Sequence, residues 1–142
     1  MKSRFFSLLF SAAVLSAGLL PQMAHAASVS FIEPADGAVV SSPFTVKFGV
    51  GGMEVKPAGD VTPDSGHHHL LINEDSIPAG QAIPVDEKHI HFGKGQTETS
   101  LTLPPGQYKL TMQFANGKHQ SYGPELSKTI NVTVIPSAAA TR

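Results

Sequence analysis

Pro104-Pro105-Gly106-Gln107-Tyr108-Lys109-Leu110-Thr111-Met112-Gln113-Phe114-Ala115-Asn116-Gly117 decides the fold class. Between two strong breakers, polar and apolar residues alternate from Gln107 to Phe114, the period of a half-buried β-strand. Asn116-Gly117 is a hairpin signal, because both residues tolerate the positive φ that tight turns between strands require. Tyr108, just inside this late strand, fits either a tyrosine corner or an ordinary strand aromatic.

Working outward, the same signature recurs. Short runs at Ser28 to Ile32, Ala38 to Val40, Phe44 to Val50, His68 to Ile72, Lys88 to Phe92, Thr97 to Leu103 and Lys128 to Ile135 are separated by Gly, Pro, Asn and Asp clusters such as Pro34-Ala35-Asp36-Gly37. No window of eleven residues or more carries a helical repeat. Seven or eight short strands at this spacing predict an all-β, immunoglobulin-like β-sandwich, with a small barrel as the alternative. Alternation places Phe31, Val46, Phe48, Leu70, Ile72, Ile90, Phe92, Leu101, Leu110, Met112, Phe114, Ile130 and Val132 in the core. Two connections, Gly51 to Gly66 and Asn73 to Glu87, are long for so small a domain, and each leads into a histidine cluster.

The chain has 142 residues and begins with a different kind of segment. Lys2 and Arg4 precede an apolar run from Phe5 to Leu20, followed by Ala24-His25-Ala26, the small-x-small pattern of a signal peptidase site. Residues 1–26 are therefore read as a signal peptide cleaved after Ala26, residues 27–135 as one β domain and residues 136–142 as a flexible tail. The expected location is the periplasm or the medium, with no membrane span in the mature chain. Loss of Lys2 and Arg4 leaves eight basic against eleven acidic residues, scattered without a basic stripe, so nucleic acid is not an expected partner. Cysteine is absent, which removes disulfides, thiolate ligands and a cysteine nucleophile.

Five of the seven histidines fall in two short segments, His67-His68-His69 before Leu70-Leu71-Ile72 and His89-Ile90-His91 before Phe92. On a strand, alternate residues share a face. With Ile90 and Phe92 turned inward, His89 and His91 face out together. With Leu70 and Ile72 inward, His67 and His69 face out and His68 shares the core side. If the two strands are neighbours, four imidazoles meet on one solvated face, a donor set suited to copper(II) or zinc. The expected metal ligands are His67, His69, His89 and His91, with His68 and His119 in reserve and Asp64 as a supplementary carboxylate. The bland alternatives are structural histidines, or a pH-responsive patch that binds a periplasmic protein or cell-wall component. Catalysis is not expected: there is no Gly-x-Ser-x-Gly elbow, and Asp64-Ser65-Gly66-His67 is too local to form a triad.

Gly66-His67-His68-His69-Leu70-Leu71-Ile72, then His89-Ile90-His91-Phe92-Gly93-Lys94-Gly95-Gln96-Thr97-Glu98, then Leu103-Pro104-Pro105-Gly106 and His119, resemble a bacterial family of small exported domains, domain of unknown function 4399. The resemblance covers nearly all of the expected mature chain. It implies a single β domain outside the cytoplasm and carries over no activity. A fainter similarity is to periplasmic copper carriers of the CopC-like type, which share the Pro-x-x-Gly turn after the first strand. Those carriers use a mature N-terminal histidine, which here would require cleavage after Ala24, with Gln22 in the subsite that prefers a small residue.

Overall fold

Alternating segments bounded by Gly and Pro can bury their apolar faces only by pairing edge to edge and then stacking sheet on sheet. The computed structural model, which describes residues 25–138, does this. Residues 1–24 of the expected signal peptide and the last four residues of the expected tail lie outside the described residues. The strands are β1 (Ser28–Glu33), β2 (Ala38–Ser41), β3 (Phe44–Gly51), β4 (Glu54–Val55), β5 (Ser65–Ile72), β6 (His89–His91), β7 (Glu98–Leu101), β8 (Gly106–Ala115) and β9 (Ser127–Ile135). A 3-10 turn, Pro124–Leu126, precedes β9. Among the described residues no helix is long and apolar enough to cross a membrane.

Two sheets form the sandwich. The smaller has the order β1-β3-β7, and the larger runs β2-β9-β8-β5, with β4 and β6 both pairing with β5. Between the sheets lie Val46 and Phe48 of β3, Leu70 and Ile72 of β5, Leu110 and Met112 of β8, Ile130 and Val132 of β9, together with Phe92 and Leu101. Phe31 and Ile90 pack half-buried at the margin, while Phe44 and Val134 join the core beyond the expected set. Burying each such Leu or Phe contributes roughly 1.5–3 kcal/mol relative to leaving it exposed. Tyr108 sends its hydroxyl back to the Pro104 carbonyl at 2.9 Å, the bond expected of a tyrosine corner.

The central strand β5 departs from the expected pattern, because all eight of its residues are buried. The expectation of a solvated histidine face is corrected here. Antiparallel register sets Leu71 opposite Thr111, His69 opposite Gln113 and His67 opposite Ala115 of β8, so these residues share the face turned away from the other sheet. That face is roofed by the two connections 73–87 and 116–126. Gln113 holds both roofs: its Oε1 accepts from the Ile77 amide at 3.0 Å, and its Nε2 donates to the Gly123 and Leu126 carbonyls. The Thr111 hydroxyl donates to the Glu74 carbonyl, and the Ser121 hydroxyl donates to the Ile77 carbonyl. Leu71, Ile83, Ala115 and Leu126 are buried as well, outside the cluster between the sheets.

Candidate metal centre

Three successive histidines on a strand must alternate in direction, and they do. His68 points into the sandwich core. Its ring lies stacked on Phe48 at 5.0 Å between centres and edge-on to Phe114, with Nδ1 at 3.0 Å from the Met112 sulfur. Burial lowers its pKa from 6.5 to about 4, so it is a neutral core histidine at physiological pH.

His67 and His69 project under the loop roof and are completely buried. Neither ring has a hydrogen-bond partner on Nδ1 or Nε2. This is unusual, since buried polar side chains nearly always find partners and an unpaired one costs about 1–3 kcal/mol. Gln113, on the same face, is fully bonded. Burial first, then the imidazoles of His91, His119 and His68, lowers His67 to about 4. Burial first, then the same neighbours together with His67, lowers His69 to about 2.

Two further imidazoles converge on this pair. His91 of β6 stands opposite His69 in antiparallel register, on the same face. Its ring extends over Gly93, where any Cβ would collide with it. His119 arrives from the turn after β8 with φ of 63°, a left-handed conformation uncommon outside glycine but more frequent for His. The turn is held by Asn116, whose Oδ1 accepts from the Lys118 and Gln120 amides, and by the Ile83 amide donating to the His119 carbonyl. Gly117 is required there, since a Cβ would meet the backbone of Asp60. His91 and His119 are half-buried, and their Nε2 atoms lie 2.9 Å apart, so one ring donates Nε2–H to the other. Burial, followed by the His119 imidazole, lowers the His91 pKa.

One nitrogen from each of His67, His69, His91 and His119 can be chosen so that all lie within 4.8 Å of one another. Four nitrogens at the zinc–imidazole bond length of about 2.0–2.1 Å would stand roughly 3.3 Å apart, so the widest pairs must close by up to about 1.5 Å and the His91–His119 pair must open slightly, within reach of small ring movements. The residues therefore fit a transition metal, which would give each buried ring its missing partner on one nitrogen; the second nitrogen of His67 and of His69 keeps none from the protein. No cysteine or carboxylate belongs to the group.

Of the other expected ligands, His89 lies on the same face of β6 but opposite Leu71, two residues further along the strand. Its Nδ1 donates to Asp86 Oδ1 at 2.8 Å, and this bond, together with the Lys88 amide, holds the Asp86 carboxyl below its ordinary range. His68 is on the opposite face, and Asp64 stands in the turn before β5 with its carbonyl bonded to the Glu54 amide. Sequence reading passed over Gly93 and Gln113. The only signal for Gly93 was its position directly after His-x-His-Phe, and Gln113 showed only as a polar residue on an alternating strand.

No curated protein matches this chain. Among solved structures, an endo-beta-1,4-mannanase from Thermotoga petrophila aligns with a TM-score of 0.49 and 15% identity, covering 80% of this chain and 20% of the mannanase chain. The family model of a domain of unknown function, DUF4399, matches residues 46–135, a span that contains β5, β6 and the His119 turn, and the chain belongs to that family.

Proposed function

We propose that this protein is an exported binding domain that holds one divalent transition-metal ion, copper(II) or zinc, through His67, His69, His91 and His119. The observation that carries the reading is the pair of wholly buried, unpartnered imidazoles of His67 and His69 facing two more imidazoles at ligand distance. A fold rarely keeps four buried ring nitrogens without partners unless something else satisfies them. The lowered pKa values support the same reading, because a metal needs neutral imidazole. A macromolecule has no exposed surface of His67 or His69 to touch, which favours an ion over a protein or wall ligand on this face. Binding rather than catalysis is the proposed role. Export rests on the charged, apolar and small-x-small pattern of residues 1–26, with the mature chain starting at Ala27.

Titration calorimetry on protein purified without an affinity tag tests the ion site. One equivalent should bind to the wild type, affinity should fall at least a hundredfold in His91→Ala, and His89→Ala should leave it unchanged. Equal affinity in wild type and His91→Ala would sink the assignment. Mass spectrometry of exported material tests the cleavage site.

A further inference from the structure

The four imidazoles carry information about which ion they accept. Their ring centres are separated by 4.5 Å for His91 and His119 and by 4.8 Å for His67 and His69. His67 to His91, His67 to His119 and His69 to His91 are each 5.0 Å, and His69 to His119 is 6.0 Å. Four ligands in a square plane give two diagonals about 1.4 times the edges, and those diagonals must join opposite corners. Here the single long separation is His69 to His119. The pair opposite to it, His67 and His91, is 5.0 Å apart against 4.5 to 5.0 Å for the four remaining pairs, far short of a diagonal, so the ring centres form a distorted tetrahedron.

The fold resists flattening that figure. His67 and His69 are fixed on the central strand by its continuous pairing with β8, and beside them Gly66 packs where a side chain would strike Phe114 and the Ala115 carbonyl. His91 is tied by pairing of β6 with β5, and His119 by the Asn116 turn and the Ile83 amide. The donors are all imidazole, which suits both zinc and copper(II), so donor type excludes neither and geometry is what can offset the higher affinity of copper(II) for such donors.

We infer that His67, His69, His91 and His119 form a preformed, closed tetrahedral site for zinc(II), with all four positions taken by imidazole and none left for water or a substrate. This rests on the metal-binding reading above and deepens it. Zinc, with a filled d shell, adopts the tetrahedron without penalty, whereas copper(II) prefers a tetragonal arrangement that these rings do not offer. The ion replaces the Nε2–H···Nε2 bond between His91 and His119 and joins β6 and the 116–120 turn to the central strand. A site with no open position stores, carries or braces rather than activating water.

The test uses the tag-free protein and cobalt(II) as a spectroscopic stand-in for zinc. The inference expects the intense visible bands of four-coordinate cobalt, abolished by one equivalent of zinc, and the same bands in His89→Ala. It also expects copper(II) to displace zinc with much less than the advantage that copper holds on free imidazole. A weak, pale six-coordinate cobalt spectrum, or a square-planar copper resonance with copper displacing zinc outright, overturns the tetrahedral assignment and leaves ion binding standing. Failure of cobalt, zinc and copper alike to bind the folded protein overturns both.

Discussion

The two faces of β5 receive consecutive histidines and treat them oppositely. On the core face, His68 is one flat ring among Phe48, Phe114 and Met112, its Nδ1 engaged with sulfur and its Nε2 unpartnered against apolar neighbours, and its role is to fill space. On the roofed face, His67 and His69 are equally buried yet make no hydrogen bond, and two other rings crowd them at 5.0 to 6.0 Å. Burial alone therefore does not separate a structural histidine from a ligand. What separates them is whether the surroundings are apolar and complementary, or are other unsatisfied donors and acceptors at coordinating distance.

Acid should produce the largest effect and act on both faces. The unfolded chain takes up protons near 6.5 that native His67 and His68 refuse until about 4 and native His69 until about 2. Folded values below unfolded ones mean that the unfolded state binds more protons. Stability is then full above 6.5 and declines as pH falls, with the contributions of His67 and His68 gone below about 4. Each such group contributes about 1.4 kcal/mol per pH unit, enough together to unfold an ion-free small domain in mild acid. Urea midpoints at pH 7, 6 and 5 should fall steadily. Saturating zinc should move the transition to lower pH, because the ion competes with protons for the roofed face and not for His68. An ion-free midpoint that is flat across this range would mean these rings are already protonated or exposed.

The faces can also be separated by mutation. Phe92 follows His91 and packs on Phe48 with ring centres 5.1 Å apart, wholly on the core side. Phe92→Ala should cost about 3–5 kcal/mol of stability, read from chemical denaturation. Ion affinity of the protein that remains folded should stay within a few fold of wild type. Collapse of both together would show that the two faces are not independent.

How much of this was legible follows from the range of the forces involved. The alternation that sorted His68 from His67 and His69, and Ile90 from His89 and His91, is a local consequence of the β backbone, and the structure keeps it. The roof was not legible. Residues 73–87 read as a loop because their anchors, Gln113 with the Ile77 amide and Thr111 with the Glu74 carbonyl, join residues 36 and 37 apart in the chain. Nor was the register of β6 against β5, which sets His91 beside His69 and carries His89 two residues, roughly 7 Å, further along. The start of β5 was placed three residues late, since Ser65 and Gly66 are weak strand formers. Gly66 is there because a side chain would strike Ala115, and β4, two residues long, has no period to read.

Replacing a roofed histidine should separate function from stability. His69→Leu removes two buried nitrogens that have no partner, and exchanging an unsatisfied polar ring for an apolar group of similar volume is nearly neutral or favourable. The ion-free variant should melt at or above the wild-type temperature, while ion affinity falls at least a hundredfold, about 2.7 kcal/mol. His68→Leu is the control on the other face: it gives up the Met112 contact and should leave ion affinity within a few fold. If His69→Leu destabilises the ion-free fold by several kcal/mol, His69 belongs with His68 as a packing residue, and the contrast between the faces disappears.

The smallest effect, and the sharpest probe of how the roofed face is built, is Gly93→Ala. Gly93 has no positive φ to maintain, so glycine is required only for space: an added Cβ would lie 2.7 Å from Nε2 of His91 and closer still to another ring atom. The residue after Phe92 must therefore lack a side chain for the His91 ring to lean across toward His67, whose ring centre is 5.0 Å away. A methyl group at this position should push the His91 ring outward without touching the sandwich core. Ion-free stability should change by less than about 1 kcal/mol, whereas ion affinity should drop about tenfold, and cobalt bound to the variant should show weaker bands as one imidazole is displaced. A Gly93→Ala protein that binds as tightly as wild type would mean His91 reaches the ion by another rotamer, and the ring position over Gly93 would then be incidental to the site.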